Sequence, residues 1–148
     1  RDPVPLMTPG FSFESADIAF ELADIPTHTL WLERVIAMHH RYPGAITFIF
    51  CSDNYLAEMN QQYLDHDTFT DVITFDYSSG AVISGDIFIS IDRIKDNAVQ
   101  FNNAFEKELQ LVMVHGVLHL LGFEDKEKAS EKAMRDAEVA ALNLLEHL

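Results

Sequence analysis

Residues 115–125 contain two histidines and an aspartate at a spacing that suits a metal ion. His115 and His119 are four positions apart, so on a helix they lie one turn apart on the same face, where two imidazoles can bind one cation. Gly122 is placed to end that helix in a left-handed conformation and to return the chain toward the histidines. His115, His119 and Asp125 are therefore predicted to hold one divalent ion, with zinc as the expected metal.

Each of these residues also has an ordinary structural interpretation. A histidine pair at helical spacing occurs by chance in many apolar helices. Asp125 precedes a charged segment, in which it could act as the N-cap of a final helix. The combination of the pair, the helix-ending glycine and a nearby carboxylate favours metal binding over these alternatives.

The composition indicates one acidic globular domain. The chain of 148 residues is 48% hydrophobic and has 24 acidic against 10 basic side chains, a formal net charge of −14. This charge opposes loose electrostatic binding to nucleic acid or anionic membranes, so any contact with RNA must be local, and neither DNA nor a membrane is an expected partner. No apolar run is long enough to span a bilayer and no signal-peptide pattern opens the sequence, which predicts a cytoplasmic protein. Cys51 is the only cysteine, which excludes an intramolecular disulfide and a cysteine-rich zinc module.

Hydrophobic periodicity predicts strands and helices within residues 11–148, where a strand that feeds a helix begins an α/β-type core, after a flexible or cloning-derived arm at residues 1–10. The predicted strands are 11–14, 45–51, 71–75 and 85–91. The predicted helices are 29–40, 53–64, about 103–121 and about 127–147. In the first helix, the side chains expected to face mostly inward are Leu30, Trp31, Val35, Ile36 and Met38.

The helix that carries the histidines is predicted to begin with a capping box of Asn103 and Glu106. On a helical wheel, His115 and His119 share a stripe with Glu108 beside the buried angles. The histidines are thus expected at the margin of the core, where neighbouring groups can fix the imidazole tautomers. Glu108 lies two turns before His115, about 10 Å along the axis, so no direct role is expected for it.

The segment from His115 to Asp125 resembles the signature of the YbeY family, metal-dependent endoribonucleases that act in ribosomal RNA maturation. That signature reads His-Gly-x-Leu-His-Leu-x-Gly-Tyr-Asp-His. The similarity extends over roughly residues 45–145 and includes Tyr63, residues 70–75 and 85–87, Met134 and Glu138.

The resemblance implies that residues 11–148 form a single metal-dependent hydrolase domain of the α+β class, with a mixed four-stranded sheet, helices packed mainly on one side, and the metal in a cleft. It implies a single-strand-specific endoribonuclease of rRNA maturation and ribosome quality control, with metal-bound water as the nucleophile. The implied partners are an rRNA precursor and a ribosomal particle or ribosomal protein. The implied substrate-cleft residues are Tyr63, Thr70 and Asp71, and no side chain of the signature is an obvious general base.

Two positions depart from the family pattern. Asp125 falls where the family has its third histidine ligand, and a carboxylate still binds a divalent ion but is harder and negatively charged, which leaves the metal preference open. Leu64 falls where the family usually has an arginine implicated in RNA handling, so a guanidinium suited to a phosphate is missing there.

Two other functions are compatible with parts of the sequence. The spacing His-x-x-x-His-x-x-Gly-x-x-Asp resembles the ligand pattern of metzincin peptidases, but those enzymes need a glutamate after the first histidine and this chain has Gly116. The second alternative is a non-catalytic ribosome-assembly factor with a structural metal, whose acidic surface docks a basic ribosomal protein.

Overall fold

Four strands form one mixed sheet in the computed structural model, which describes residues 10–64 and 70–148. They are β1 (Gly10–Ser15), β2 (Tyr42–Cys51), β3 (Val72–Asp76) and β4 (Val82–Ser90). Their order across the sheet is β1-β2-β4-β3. The β1–β2 and β2–β4 pairs are parallel, whereas β3 and β4 form an antiparallel hairpin. The predicted mixed four-stranded sheet is confirmed.

The described residues also form five helices, and most of them lie on one side of the sheet. They are α1 (Ile25–Met38), α2 (Asp53–Leu64), α3 (Ile91–Gln100), α4 (Phe105–Leu120) and α5 (Lys128–Glu146). Alternate strand residues such as Phe48 and Ile87 join α1, α4 and α5 in the main core. A smaller cluster of Cys51, Leu56 and Ile73 packs α2 against the sheet, on its opposite face, because successive side chains of a strand point to opposite faces.

The helix α3 was not predicted from the sequence. Its buried residues Ile91, Ile94 and Ala98 recur at helical spacing, and the Ser90 hydroxyl caps the first turn by accepting a hydrogen bond from the Arg93 amide at 3.1 Å. The apolar residues of β4 continue directly into this helix. The two-residue alternation of the strand therefore hid the point at which the apolar spacing becomes helical. The start of β4 was likewise placed three residues late, at Gly85 rather than Val82.

Helix α1 begins four residues before its predicted start. Pro26 occupies the first turn, where its fixed φ and missing N–H favour helix initiation. Trp31 is fully buried as expected, and its indole Nε1 donates to the backbone oxygen of Ala141 in α5 at 2.8 Å. Leu30 and Met38 are instead 42% and 40% exposed, because the buried stripe of α1 runs through His28, Trp31, Leu32, Val35 and Ile36 at helical spacing and leaves both of them outside it.

The predicted capping box of α4 is wrong. Ala104 is the N-cap and makes no side-chain cap hydrogen bond. The Asn103 amide instead donates to the carboxylate of Glu108 at 3.3 Å, so a tertiary contact replaces the local one. Residues 1–9 of the predicted arm lie outside the described residues, and Gly10 already belongs to β1. None of the described helices is long and apolar enough to cross a bilayer.

Cys51 is a buried residue at the end of β2, as expected for a small apolar side chain. Its thiol donates to the backbone oxygen of Ile89 at 3.5 Å. Burial, with the nearby charges of Asp17, Asp53 and Asp92, raises the pKa of this thiol to about 12. Cys51 is therefore held as an unreactive thiol rather than a metal-binding thiolate.

The helix α4 passes very close to β4 at Gly116. A Cβ atom at Gly116 would lie 2.7 Å from Cγ2 and 3.3 Å from Cδ1 of Ile87, whose side chain is fully buried. Only glycine allows this approach. The same constraint leaves no room for the glutamate that a metzincin requires after its first histidine.

We predict that Gly116→Ala destabilises the fold although alanine is the better helix former. The added methyl group must displace Ile87, and overpacking of a tight core costs about 1–3 kcal/mol in the free energy of unfolding. Urea denaturation measures the loss, with Lys107→Ala on the exposed side of α4 as the control. Adding Ile87→Ala removes the clash, so the double variant should lose less than the sum of the two single losses. A Gly116→Ala protein as stable as the parent would contradict the close-packing argument.

Candidate metal centre

The end of α4 is a tight reversal built on Gly122. Gly122 has a φ of 102°, and its amide bonds to the His119 oxygen at 3.0 Å while the Phe123 amide bonds to the Leu118 oxygen at 3.0 Å. These two bonds are the Schellman pattern, which satisfies the last carbonyls of a helix. The predicted role of Gly122 as the left-handed helix terminator is confirmed, and the reversal carries the chain back toward the histidines.

The structure brings the three predicted ligand residues together. His115 Nε2 and His119 Nε2 are 3.0 Å apart. The Asp125 Oδ2 atom lies 3.3 Å from His115 Nε2 and 3.6 Å from His119 Nε2. Each of the three side chains is partly exposed, so the group is open to solvent at the edge of the core.

These separations fit a tetrahedral metal ion. With ligand bonds of about 2.0–2.1 Å and tetrahedral angles, neighbouring ligand atoms around zinc lie about 3.3–3.4 Å apart. The three separations of 3.0, 3.3 and 3.6 Å bracket that value. Two imidazole nitrogens and one carboxylate oxygen form a donor set that zinc and other divalent ions accept.

Both imidazoles are held through Nδ1, which leaves Nε2 for the metal. His115 Nδ1 lies 2.6 Å from Oε2 of Glu138 on α5, and His119 Nδ1 lies 3.0 Å from the Phe123 carbonyl oxygen. Since both partners are acceptors, the neutral rings carry their protons on Nδ1. The two Nε2 lone pairs then face each other at 3.0 Å, an arrangement that repels unless a proton or a cation lies between them.

The two histidines have opposite pKa shifts. Burial lowers the pKa of His115, but the hydrogen bond and charge of Glu138, together with Asp125 and Asp71, raise it above the ordinary value overall. Burial and the neighbouring His115 lower the pKa of His119. A proton that competes with a metal therefore binds first at His115.

A cleft of about 300 Å³ lies beside the ligand group and is strongly acidic. It is lined by two apolar residues of α4, by His115 and by four carboxylates, which are Asp71, Glu108, Asp125 and Glu138. None of these described lining residues is a lysine or arginine. Such a cleft attracts a cation before it attracts a polyanion.

Glu108 lines this cleft on the same helical stripe as His115, and the expectation that it has no direct role stays a prediction. It is 4% exposed and accepts the hydrogen bond from Asn103. Glu138 and the Phe123 carbonyl were not predicted as partners of the histidines. For Glu138, the family resemblance around that position was the only indication that the sequence offered. A backbone carbonyl such as that of Phe123 cannot be recognised from residue types.

The three predicted substrate residues have different positions. Asp71 lines the cleft, where burial raises its pKa against the opposing effect of His115. Thr70 donates its hydroxyl to the Val72 oxygen at 3.3 Å and is not among the described lining residues. Tyr63 is 61% exposed, and its ring stands edge-on to Phe75 with centroids 6.1 Å apart. Leu64 ends α2, and its side chain lies outside the described residues.

Comparison with known proteins identifies the family. The profile described as Endoribonuclease YbeY matches residues 14–146. A protein named Endoribonuclease YbeY from Flavobacterium psychrophilum is 51% identical over 135 residues, which cover 91% of this chain and 94% of that protein. One of the same name from Phocaeicola vulgatus is 47% identical over 117 residues, covering 79% and 85%.

A solved structure extends the similarity to the fold. The solution structure of TM1509 from Thermotoga maritima matches with a TM-score of 0.64 and 26% sequence identity, covering 91% of this chain and 88% of that one. The family match runs from β1 to the end of α5 and thus includes the histidine helix, the returning Asp125 and the acidic cleft. On this sequence and structural evidence, the chain belongs to the Endoribonuclease YbeY family.

Proposed function

We propose that this protein is a metal-dependent endoribonuclease that cleaves single-stranded RNA in the cytoplasm, during rRNA maturation and ribosome quality control. The observation that carries the proposal is the convergence of His115 Nε2, His119 Nε2 and Asp125 Oδ2 within 3.0–3.6 Å of one another. Family membership supports RNA as the substrate.

His115, His119 and Asp125 would hold one ion, for which zinc is proposed. Three protein ligands are the number that catalytic zinc sites use, whereas structural sites are usually closed by four. When bound, the ion supplies Lewis acidity toward a phosphate oxygen and toward an attacking water. The protein's own contribution is to fix both imidazoles through Nδ1 and to place the site at the wall of a cleft.

The charge of the cleft governs how RNA can approach. Four carboxylates line it, and the described lining residues include no lysine or arginine to neutralise a phosphate. Free RNA should therefore bind weakly, with a shallow dependence on salt. We propose that a ribosomal particle or a basic ribosomal protein supplies the missing affinity by docking on the acidic surface, since the chain has a net charge of −14.

The same electrostatics favour one other candidate, a non-catalytic assembly factor with a structural metal. An acidic cleft without the family's arginine suits protein docking at least as well as RNA cleavage. The two candidates differ in whether the metal site is required for cleavage of the RNA chain.

We predict that the site holds one equivalent of zinc and that His119→Ala abolishes it. Removing one of three ligands leaves two donors, which cannot retain the ion against a weak chelator. Metal analysis after dialysis gives the stoichiometry, and His147→Ala is the control that should keep a full equivalent, because this exposed histidine contacts the Asn143 backbone oxygen through Nδ1. Asp125→His should retain binding and shift the preference toward zinc over manganese. A full equivalent in His119→Ala would refute the site.

We predict that zinc affinity falls as the pH drops through the histidine range near ~6.5, because a protonated imidazole cannot bind a metal. The raised pKa of His115 means that its proton competes from a pH above that ordinary value. Zinc titrations against a competing chelator between about pH 5 and 8 measure this dependence. An affinity that does not change over that range would contradict histidine ligation.

We predict that the wild-type protein cleaves rRNA precursors weakly when alone and more efficiently when ribosomal particles are present. The His115→Ala variant should not cleave them under either condition. The assay compares both proteins, with zinc present, on structured precursor RNA with and without particles. Equal cleavage by wild type and His115→Ala would identify a contaminating nuclease. Absence of cleavage under every condition, with zinc binding intact, would favour the assembly factor.

The missing arginine provides a second arm of this experiment. Leu64→Arg should increase cleavage of free RNA, because it restores a fixed cation that can bind a phosphate. Gln62→Arg adds the same charge about 200° around the helix and should give no comparable gain. An equal gain in both variants would show that only the net charge matters.

A further inference from the structure

We propose that Glu138 is a positioning residue of the metal centre, which fixes the orientation and tautomer of His115 so that Nε2 faces the ion. This inference rests on the proposed metal site. Glu138 lies on α5, which follows the histidine helix, and its Oε2 atom is 2.6 Å from His115 Nδ1. Because the contact is to Nδ1 rather than Nε2, Glu138 acts behind the ligand and is not one of the three ligands.

The position of Glu138 in α5 requires a partner for its charge. Met134 and Ala141, one turn before and one turn after it, are buried in the main core, so Glu138 lies at the inward side of α5. Its side chain is only 15% exposed. A carboxylate so placed is costly unless it is hydrogen-bonded or paired, and the His115 Nδ1–H group provides that hydrogen bond.

The two histidines are held by acceptors of different kinds. The Phe123 carbonyl that accepts from His119 is neutral, and it is 3.0 Å away. The Glu138 carboxylate is charged and closer, at 2.6 Å, and charge-assisted hydrogen bonds are roughly twice as strong as neutral ones. A carboxylate behind an imidazole also increases its basicity toward a metal. Glu138 therefore makes His115 a stronger electron-pair donor to a metal than His119.

The Glu138 contact also connects the site to the fold. The imidazole of His115 is partly exposed, with 22% of its side-chain surface accessible, so packing alone does not determine its rotation. The hydrogen bond from α5 supplies that constraint from an element outside the histidine helix. Loss of the carboxylate should free the ring to rotate and to move its proton between the two nitrogens, while leaving the fold intact.

Three substitutions separate positioning from a general effect of charge. Glu138→Gln keeps an oxygen that can accept from Nδ1 but removes the charge, whereas Glu138→Ala removes the acceptor and Glu138→Asp retracts it. Glu131→Gln is the matched control, because it makes the same change on α5 at an exposed side chain, which lies 3.8 Å from the exposed Arg135. Thermal unfolding of each variant shows whether it is folded.

Two measurements are needed, and the first does not require metal. Imidazole ¹⁵N spectra of the metal-free protein, recorded at a pH high enough that the ring signals no longer change with pH, should show His115 as the Nδ1–H tautomer in wild type and Glu138→Gln. The same spectra should show a tautomer mixture in Glu138→Ala, with His119 unchanged. The second is zinc affinity by chelator competition, which should fall about 10–100-fold in Glu138→Ala, less in Glu138→Gln and Glu138→Asp, and not in Glu131→Gln.

The possible failures are distinguishable. A His115 that stays in the Nδ1–H tautomer in Glu138→Ala, or a Glu138→Ala protein that binds zinc as tightly as wild type, overturns the role of Glu138. A wild-type protein that binds no zinc overturns the metal site instead, while the spectra still test the hydrogen bond. If Glu138→Ala does not fold, Glu138→Gln becomes the deciding variant. A zinc affinity of Glu138→Gln equal to that of wild type would then show that the charge of Glu138 does not strengthen metal binding by His115.

Discussion

The close packing of α4 against the sheet is the constraint on which the site depends. The approach of Gly116 to Ile87 lets α4 lie very near β4. Buried residues of α4 before His115 and after His119 then hold the helix against the core. With the helix axis held in this way, His115 and His119 project from the margin of the core, and His115 lines the cleft. A side chain at position 116 would separate helix and sheet and would move both imidazoles together. Gly116 is therefore a structural requirement of the site as well as the reason why it lacks the peptidase base.

The geometry of His115, His119 and Asp125 favours the binding of a cation electrostatically. Two neutral imidazoles, each protonated on Nδ1, direct their Nε2 lone pairs at each other across 3.0 Å, and the Asp125 carboxylate adds negative charge beside them. A proton relieves this repulsion at low pH, and a divalent ion would relieve it more fully. The contacts behind the rings come from separate elements, the Gly122 reversal and α5, so the convergence does not depend on one flexible side chain.

An acidic cleft is an unusual environment for a protein that acts on RNA. Electrostatic attraction to phosphates normally supplies most of the affinity for nucleic acid, yet the four carboxylates here oppose it. With Asp125 among them, the ligand set carries one more negative charge than a set of three histidines, which offsets more of the charge of a bound ion. The consequence is a cleft whose charge gives little electrostatic attraction to free RNA.

The sequence determined the local features of this protein, and the tertiary structure decided the long-range ones. His115, His119, Gly122 and Asp125 lie within 11 residues, so helical periodicity and the conformational preference of glycine were sufficient to predict their grouping. Alternation and β-branched content predicted the four strands, but α3 was missed because its apolar period begins inside the run of β4. The partners that fix the site could not be predicted in this way. Glu138 is 23 positions from His115, and Asn103 contacts Glu108 instead of capping α4. The approach of Gly116 to Ile87 likewise joins two separate elements. None of these contacts can be predicted from local sequence, because each exists only after the helices have packed on the sheet.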